Sequence, residues 1–130
     1  MADPMIVQEW LHNADDDLRF AETNLQGGSE FYAQICFHFQ QAAEKYLKAY
    51  IIGKGLAFDK VHDLVHLLKT CSTLEPAFAA LKEDCILLNT AYIETRYPVH
   101  WPISYTKETA EQSHTAVMNI ARMVRNQLGI

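Results

Sequence analysis

The chain has 130 residues, of which 49% are hydrophobic and 21% charged, and its formal net charge is −5 at pH 7. This length is that of one ordinary domain, 1–130, and this composition excludes an intrinsically disordered chain. The acidic balance excludes a protein with basic residues over its whole surface, so any contact with nucleic acid must come from a local cluster.

The first predicted helix begins at Asp3-Pro4, where a capping carboxylate precedes a proline suited to the first helical position. Its apolar residues recur at alternating steps of four and three: Val7, Leu11, Ala14, Leu18, Ala21 and Leu25. The run Asp15-Asp16-Asp17 is interpreted as solvated surface, although Asp17 lies closer to the apolar stripe than its neighbours. Gly27-Gly28 ends the helix.

The second predicted helix, capped by Ser29 and stopped by Gly53 and Gly55, is apolar over a wide arc. Two adjoining stripes make this arc: Phe31, Ile35, Phe39, Ala42, Tyr46 and Ala49, then Cys36, Ala43, Leu47 and Tyr50. Such a helix packs against several neighbours. Because the arc is too wide for a small monomer to cover, it favours a homodimer.

A narrow polar line completes the second helix: Gln34, His38, Gln41, Lys45 and Lys48. One interpretation is a satisfied hydrogen-bond network between helices with an exposed basic edge. The other is a ligand site to which His38, Gln41, Lys45 and Lys48 contribute. The periodicity alone leaves both open.

The remaining residues predict one short helix and two long ones. After a connector, Leu56–Val61, the short helix runs through Leu64, Leu67 and Leu68. The next begins near Leu74 or Pro76 and must end before Pro98, because a residue preceding a proline is disfavoured in the α region. The last runs from about Thr106 to Leu128. The predicted fold is therefore all-α, an antiparallel up-and-down bundle of four long helices plus one short helix.

The stretch His62-Asp63-Leu64-Val65-His66 places two histidines on one helix face, a spacing found in zinc sites. The zinc protease pattern needs a glutamate where Asp63 stands, and no third ligand is near. We therefore expect no metal site and no cofactor. Instead, His62 or Asp63 helps to cap the short helix, and His66 lies at its surface or against a neighbour.

Three cysteines, Cys36, Cys71 and Cys85, stand among apolar residues without CxxC spacing. They are typical of buried thiols in a reducing compartment rather than of disulfides or zinc ligands. The amino terminus lacks the basic and apolar segments of a signal peptide, and no apolar run approaches the roughly 18 residues that span a membrane. We expect a cytoplasmic protein without a membrane segment.

The segment Arg96-Tyr97-Pro98-Val99-His100 follows the fourth predicted helix. An arginine suited to bidentate phosphate contact, an aromatic ring that can stack on a base and a titratable histidine suit a phosphate or nucleotide site. The alternative is a rigid turn whose aromatic side chains close the end of the bundle. The chain has no nucleophile elbow, dinucleotide-binding glycine motif or P-loop.

At these residues the chain resembles the HEPN family. The stretch from Phe37 to Ala49, FHFQQAAEKYLKA, is similar to the signature helix of HEPN domains. The likeness continues in the region from Ala14 to Leu18, in His62-Asp63-Leu64 with Leu67 and Leu68, and in Tyr92-Ile93 followed by Arg96-Tyr97-Pro98. It covers roughly residues 6 to 125.

This resemblance implies an antiparallel helical bundle that is usually dimeric and is often encoded beside a minimal nucleotidyltransferase in toxin–antitoxin-like pairs. Many HEPN proteins are metal-independent ribonucleases whose arginine is followed, after four to six residues, by a histidine. Here only three residues, Pro98 among them, separate Arg96 from His100.

We therefore expect a non-catalytic homodimer with a nucleotide or RNA-phosphate site near Arg96 and Tyr97 and the Lys45/Lys48 edge. A nucleotidyltransferase is its expected partner. One alternative is a ribonuclease toxin in which Arg96 stabilises the charge on the reacting phosphate and His100 is the general acid or base. A second alternative is a purely structural protein-interaction module.

Overall fold

The computed structural model describes residues 3–96 and 104–130, and these residues contain no β-strand. Five α-helices lie in this part of the chain: α1 Pro4–Gln26, α2 Tyr32–Gly53, α3 Leu64–Leu74, α4 Lys82–Arg96 and α5 Lys107–Leu128. A 3₁₀ helix, Pro76–Leu81, precedes α4. The predicted all-α bundle is confirmed.

The second helix, α2, is the centre of the bundle. It packs against α1, α3, α4 and α5. The side chains of Phe39, Tyr46 and Tyr50 are almost completely buried within the single chain, together with the small residues between them. The apolar arc of α2 is therefore covered by the other four helices, so it gives no reason to expect a second copy of the chain.

The helix ends follow local chemistry at most positions. Asp3 caps α1 by accepting a hydrogen bond of 2.9 Å from the backbone nitrogen of Met5, with Pro4 in the first turn as predicted. Thr106 caps α5 in the same way, through Thr109. The expected cap at Ser29 is wrong, because α2 begins only at Tyr32, and the Ser29 hydroxyl accepts from the backbone nitrogen of Phe31, outside the helix.

The predicted fourth helix is divided into the 3₁₀ helix and α4. The carboxylate of Glu75 accepts from the backbone nitrogen of Ala77, and Pro76 occupies the first helical position. The two buried residues of this segment, Phe78 and Leu81, are three positions apart, which matches the three-residue turn of a 3₁₀ helix. Phe78 packs on Tyr50 of α2 with ring centroids 4.6 Å apart, and this contact fixes the segment against the core.

None of the helices in the described ranges is both long and apolar enough to cross a membrane. Cys36, Cys71 and Cys85 are buried and carry free thiols, as predicted. Burial raises the pKa of Cys71 and of Cys85 to about 12, so both remain protonated at neutral pH. These cysteines are part of the core.

Candidate functional site

Two side chains of the polar line on α2, His38 and Lys45, contact one carboxylate of α1. The imidazole Nδ1 of His38 lies 3.3 Å from Asp17 Oδ1, and Lys45 Nζ donates to Asp17 Oδ2. All three side chains are partly buried. The interpretation of Asp15-Asp16-Asp17 as solvated surface is therefore wrong for Asp17, which joins α1 to α2. It is also wrong for Asp15, which is half-buried and pairs with Arg125 of α5.

The last residue of the line, Lys48, is held by a different carboxylate. Lys48 Nζ donates to Glu44 Oε2 at 3.0 Å, and both residues are only 5% exposed. The rings of Trp10 and Phe58 have their centroids 6.0 and 5.6 Å from Lys48 Nζ, close enough for cation–π attraction. Lys48 is thus a buried cation rather than part of an exposed basic edge.

Glu44 also binds the histidine before α3. Its Oε1 atom lies 2.9 Å from His62 Nδ1. The carbonyl oxygen of His62 accepts a hydrogen bond from Gln40 Nε2 at 3.2 Å, and Gln41 Nε2 donates to Gln40 Oε1. Gln40 is fully buried. Both the side chain and the backbone of His62 are therefore fixed by polar groups of α2.

Aromatic rings continue from His62 across the surface. His62 lies nearly parallel to Tyr92 of α4, with centroids 4.7 Å apart, and Tyr92 lies nearly parallel to Phe37 of α2 at 6.2 Å. We call Phe37, Tyr92 and His62 the three-ring stack. On the side of α1, the ring of His38 contacts Phe37 edge-on, and its centroid lies 4.5 Å from the ring centroid of Phe20.

The residues of the predicted phosphate site are only partly within the described structure. Arg96 is the last residue of α4 and follows Tyr92 by one helical turn. Tyr97 and His100 lie outside the described residues, so the Arg96–His100 geometry of the ribonuclease alternative stays a prediction. Of the predicted site, the structure places His38 and Lys45 together at Asp17, Lys48 at Glu44, and Gln41 beside Gln40.

The histidine pair considered for zinc is divided between two carboxylates. His62 contacts Glu44, whereas His66 Nε2 lies 2.8 Å from Asp59 Oδ2. Among residues 3–92 and 104–130, whose side chains the structure describes, no group of three potential ligands is arranged to hold a metal ion. Asp63, one of the two expected caps, accepts from the backbone nitrogen of Val65 and thereby caps α3.

Two further clusters of paired polar side chains were not predicted from the sequence. Asp15 accepts two hydrogen bonds from Arg125 of α5, at 2.8 and 2.7 Å, and one from the hydroxyl of Tyr46 on α2. Burial, together with the Asp15 carboxylate, raises the pKa of Tyr46 above its ordinary value. His114 pairs with Glu22 at 2.7 Å. The sequence did contain one indication that Asp15 and Asp17 contact other helices. Both directly flank residues of the apolar stripe, where a helix meets its neighbours.

The chain matches the HEPN domain over residues 7–127. ST0689, an archaeal HEPN homologue of known crystal structure, is 28% identical, with a TM-score of 0.76 over 94% of this chain and 97% of that chain. TT1696 from Thermus thermophilus, also of known crystal structure, is 31% identical, with a TM-score of 0.78 over 92% of this chain and 96% of that chain. The comparison with curated proteins gives no match.

Proposed function

The chain belongs to the HEPN domain family, and from this premise we propose that it is a non-catalytic module that binds nucleotide or RNA phosphate. It works with a minimal nucleotidyltransferase partner in a toxin–antitoxin-like pair. The observation that carries the binding proposal is the position of Arg96, one helical turn beyond Tyr92 of the three-ring stack. A guanidinium group can bind two phosphate oxygens, and aromatic rings nearby can receive a base.

The side chains on the edge of α2 have different roles in this proposal. His38 and Lys45 are only partly buried, so a phosphate group can compete with Asp17 for them. Gln41 is also partly accessible and joins them as a polar contact beside the ligand, while Tyr97 follows Arg96 in the sequence and supplies a further ring. Lys48 is buried against Glu44 and therefore positions the site from within rather than touching the ligand.

A thermal-shift screen tests this proposal on the unmodified protein. The probes are ribonucleoside mono- and triphosphates and a short single-stranded oligoribonucleotide, with inorganic phosphate as the control for a simple ionic effect. A ligand that binds only the folded protein stabilises it by about 2.7 kcal/mol when present at a hundredfold excess over its Kd, so we expect a concentration-dependent rise of the melting temperature. No rise with any nucleotide or with the RNA would contradict the proposal.

A second candidate function, a purely structural interaction module, is favoured by the internal pairing of His38, Lys45 and Lys48 with Asp17 and Glu44. These contacts give the polar side chains of His38, Lys45 and Lys48 partners within the chain, without any ligand. The same screen separates the two candidates, because an interaction module without a nucleotide site gives no thermal shift with any of the probes.

The proposal includes a homodimer, as the family resemblance implies. Since α2 is covered within one chain, the interface must lie elsewhere. The strongest candidate surface is the end of the α1–α2 pair, where Phe31 is 73% exposed and Phe20 is 51% exposed. A cavity of about 290 Å³ lies between them. Large apolar side chains grouped in this way are typical of interfaces.

Sedimentation at micromolar concentration is expected to show a dimer. Phe31→Asp should convert it to a monomer, because a charge would be buried at the interface. Leu74→Asp, at an exposed apolar position on α3, is the control for an added surface charge and should stay dimeric. A monomeric wild-type protein would rule out the homodimer, and a dimer that survives Phe31→Asp would place its interface on another surface.

The nucleotidyltransferase partner and the cytoplasmic location complete the proposal. The partner is supported by the resemblance of the signature helix and of Arg96-Tyr97-Pro98. The location is supported by the three buried free thiols, which are typical of a reducing compartment. A neighbouring gene for a short nucleotidyltransferase, with copurification of the two proteins, is the expected observation. Independent purification of the two proteins without any association would contradict the partnership.

A further inference from the structure

His62 lies in the connector between α2 and α3, yet both its ring and its backbone are hydrogen-bonded to buried side chains of α2. Glu44 fixes its ring through Nδ1 at 2.9 Å, and the buried Gln40 fixes its carbonyl oxygen at 3.2 Å. Glu44 is itself held by Lys48. Buried polar groups are costly unless they are paired, so this arrangement of three buried polar residues around one histidine is a specific feature of the fold.

The start of α3 does not depend on this histidine. Asp63 caps the helix through the backbone nitrogen of Val65. Asn89 of α4 accepts from the backbone nitrogen of Leu64 at 2.8 Å and donates to Asp63 at 2.8 Å. The connector is therefore joined to α3 and α4 by other residues, and the capping role considered for His62 belongs to Asp63.

The ring of His62 is accessible as well as fixed. Half of its side-chain surface is exposed, although one side of the ring packs against Tyr92. It is therefore the accessible end of the three-ring stack, whose other rings are partly buried. A flat ring with a fixed orientation and an open surface is suited to stacking, because little side-chain entropy remains to be lost on binding.

We propose that His62 is a ligand-contacting residue and that a nucleobase stacks on the end of the three-ring stack that His62 forms. This inference rests on the proposed function and names the part of the nucleotide that this side of the site receives. The phosphate lies toward Arg96, one helical turn beyond Tyr92 on α4, and the base lies toward His62. Stacking on a ring tolerates any base, so the site selects a base–ribose–phosphate unit rather than a particular sequence.

His66 provides a matched comparison within the same segment. It lies four residues further along, contacts a carboxylate at 2.8 Å and is 45% exposed, against 50% for His62. Within the described residues, however, no ring contacts His66. The two histidines thus differ in the ring contact and in the anchoring by α2, while their exposure and their carboxylate pairing are alike.

The test uses the fluorescence of 2-aminopurine, which is quenched when the base stacks on an aromatic ring. One probe is 2-aminopurine ribonucleoside monophosphate, and the other is a short single-stranded oligoribonucleotide containing one 2-aminopurine. These two probes distinguish a free nucleotide from an RNA strand as the source of the base. The wild-type protein should quench at least one of them in a saturable titration.

His62→Ala should remove most of the quenching and weaken binding about fivefold or more, the usual size of one base–aromatic contact. His62→Phe keeps a ring but loses the bond to Glu44, and it should retain the quenching. His66→Ala should behave as the wild type. His62→Phe also decides the case in which His62→Ala does not fold, since loss of quenching by a folded phenylalanine variant would overturn the inference.

The failure of this inference is distinguishable from the failure of the proposed function. If His62→Ala quenches like the wild type while Arg96→Ala no longer binds the probe, the base does not lie on His62 and the nucleotide site at Arg96 still stands. If the wild type binds neither probe, both proposals are wrong. If binding is lost equally in His62→Ala and His66→Ala, the effect is one of charge or folding, and stacking is excluded.

Discussion

Replacing Glu44 with alanine is expected to lower the free energy of unfolding by about 3–5 kcal/mol, the cost of leaving a buried charge without its partner. Glu44 and Lys48 are each only 5% exposed, and Lys48 Nζ donates to Glu44 at 3.0 Å. Without the carboxylate, the ammonium group of Lys48 remains beneath Trp10 and Phe58 with too few hydrogen-bond acceptors. His62 loses its anchor in the same substitution.

Chemical denaturation of the wild type and Glu44→Ala measures this loss. Asp16→Ala is the control, since Asp16 is exposed and its carboxylate pairs with the exposed His12 on the same helix; we expect a change within about 0.5 kcal/mol. The double variant Glu44→Gln with Lys48→Met should recover part of the stability, because it removes both buried charges. A Glu44→Ala protein as stable as the Asp16→Ala control would show that Lys48 escapes to solvent.

The helices could be predicted because their signals are local. The stripe predicted for α1 contains all of its buried residues, from Val7 to Ala21, and the cap predicted at Asp3 is formed by a side chain two residues from the nitrogen it binds. The division at Lys82 was not predictable in this way. An apolar spacing of three residues is common to α- and 3₁₀-helices, and the choice depends on how Phe78 reaches Tyr50, a contact between distant parts of the chain.

The polar line shows where sequence periodicity stops being informative. Steps of four and three correctly placed Lys45 and Lys48 on one side of α2, but periodicity does not show what covers that side. Lys45 meets Asp17 of α1, and Lys48 lies under Phe58 of the connector. Both contacts depend on the packing of the bundle. The homodimer was predicted from the wide apolar arc of α2 for the same reason, because periodicity does not show that four neighbouring helices cover this arc.

Replacing Arg96 with alanine is expected to weaken ligand binding roughly tenfold to a hundredfold. A charge-assisted contact between a guanidinium group and a phosphate contributes about 1.5–3 kcal/mol, and alanine removes it. Arg96 ends α4, so the substitution leaves the buried positions of that helix, Cys85, Leu88 and Ala91, unchanged. The melting temperature of the unliganded protein should therefore stay close to that of the wild type.

Two further variants separate the charge of Arg96 from its geometry. Arg96→Lys keeps a cation but loses the planar fork that binds two oxygens, so its affinity should lie between those of the wild type and Arg96→Ala. Arg122→Ala removes an exposed arginine from α5 and changes the net charge equally. It should leave binding within about twofold of the wild type, apart from a small general effect that salt suppresses.

The most direct measurement is a fluorescence-anisotropy titration of a labelled short single-stranded oligoribonucleotide with wild type, Arg96→Ala and Arg122→Ala, alongside the melting temperature of each unliganded protein. If the oligoribonucleotide gives no shift in the thermal-shift screen, the nucleotide that gives the largest shift replaces it, and its affinity is measured by calorimetry. We predict that only Arg96→Ala loses affinity, roughly tenfold or more, while all three proteins melt at nearly the same temperature. An Arg96→Ala protein that melts several degrees lower but binds with wild-type affinity would contradict the account, because Arg96 would then stabilise the fold and would not bind phosphate.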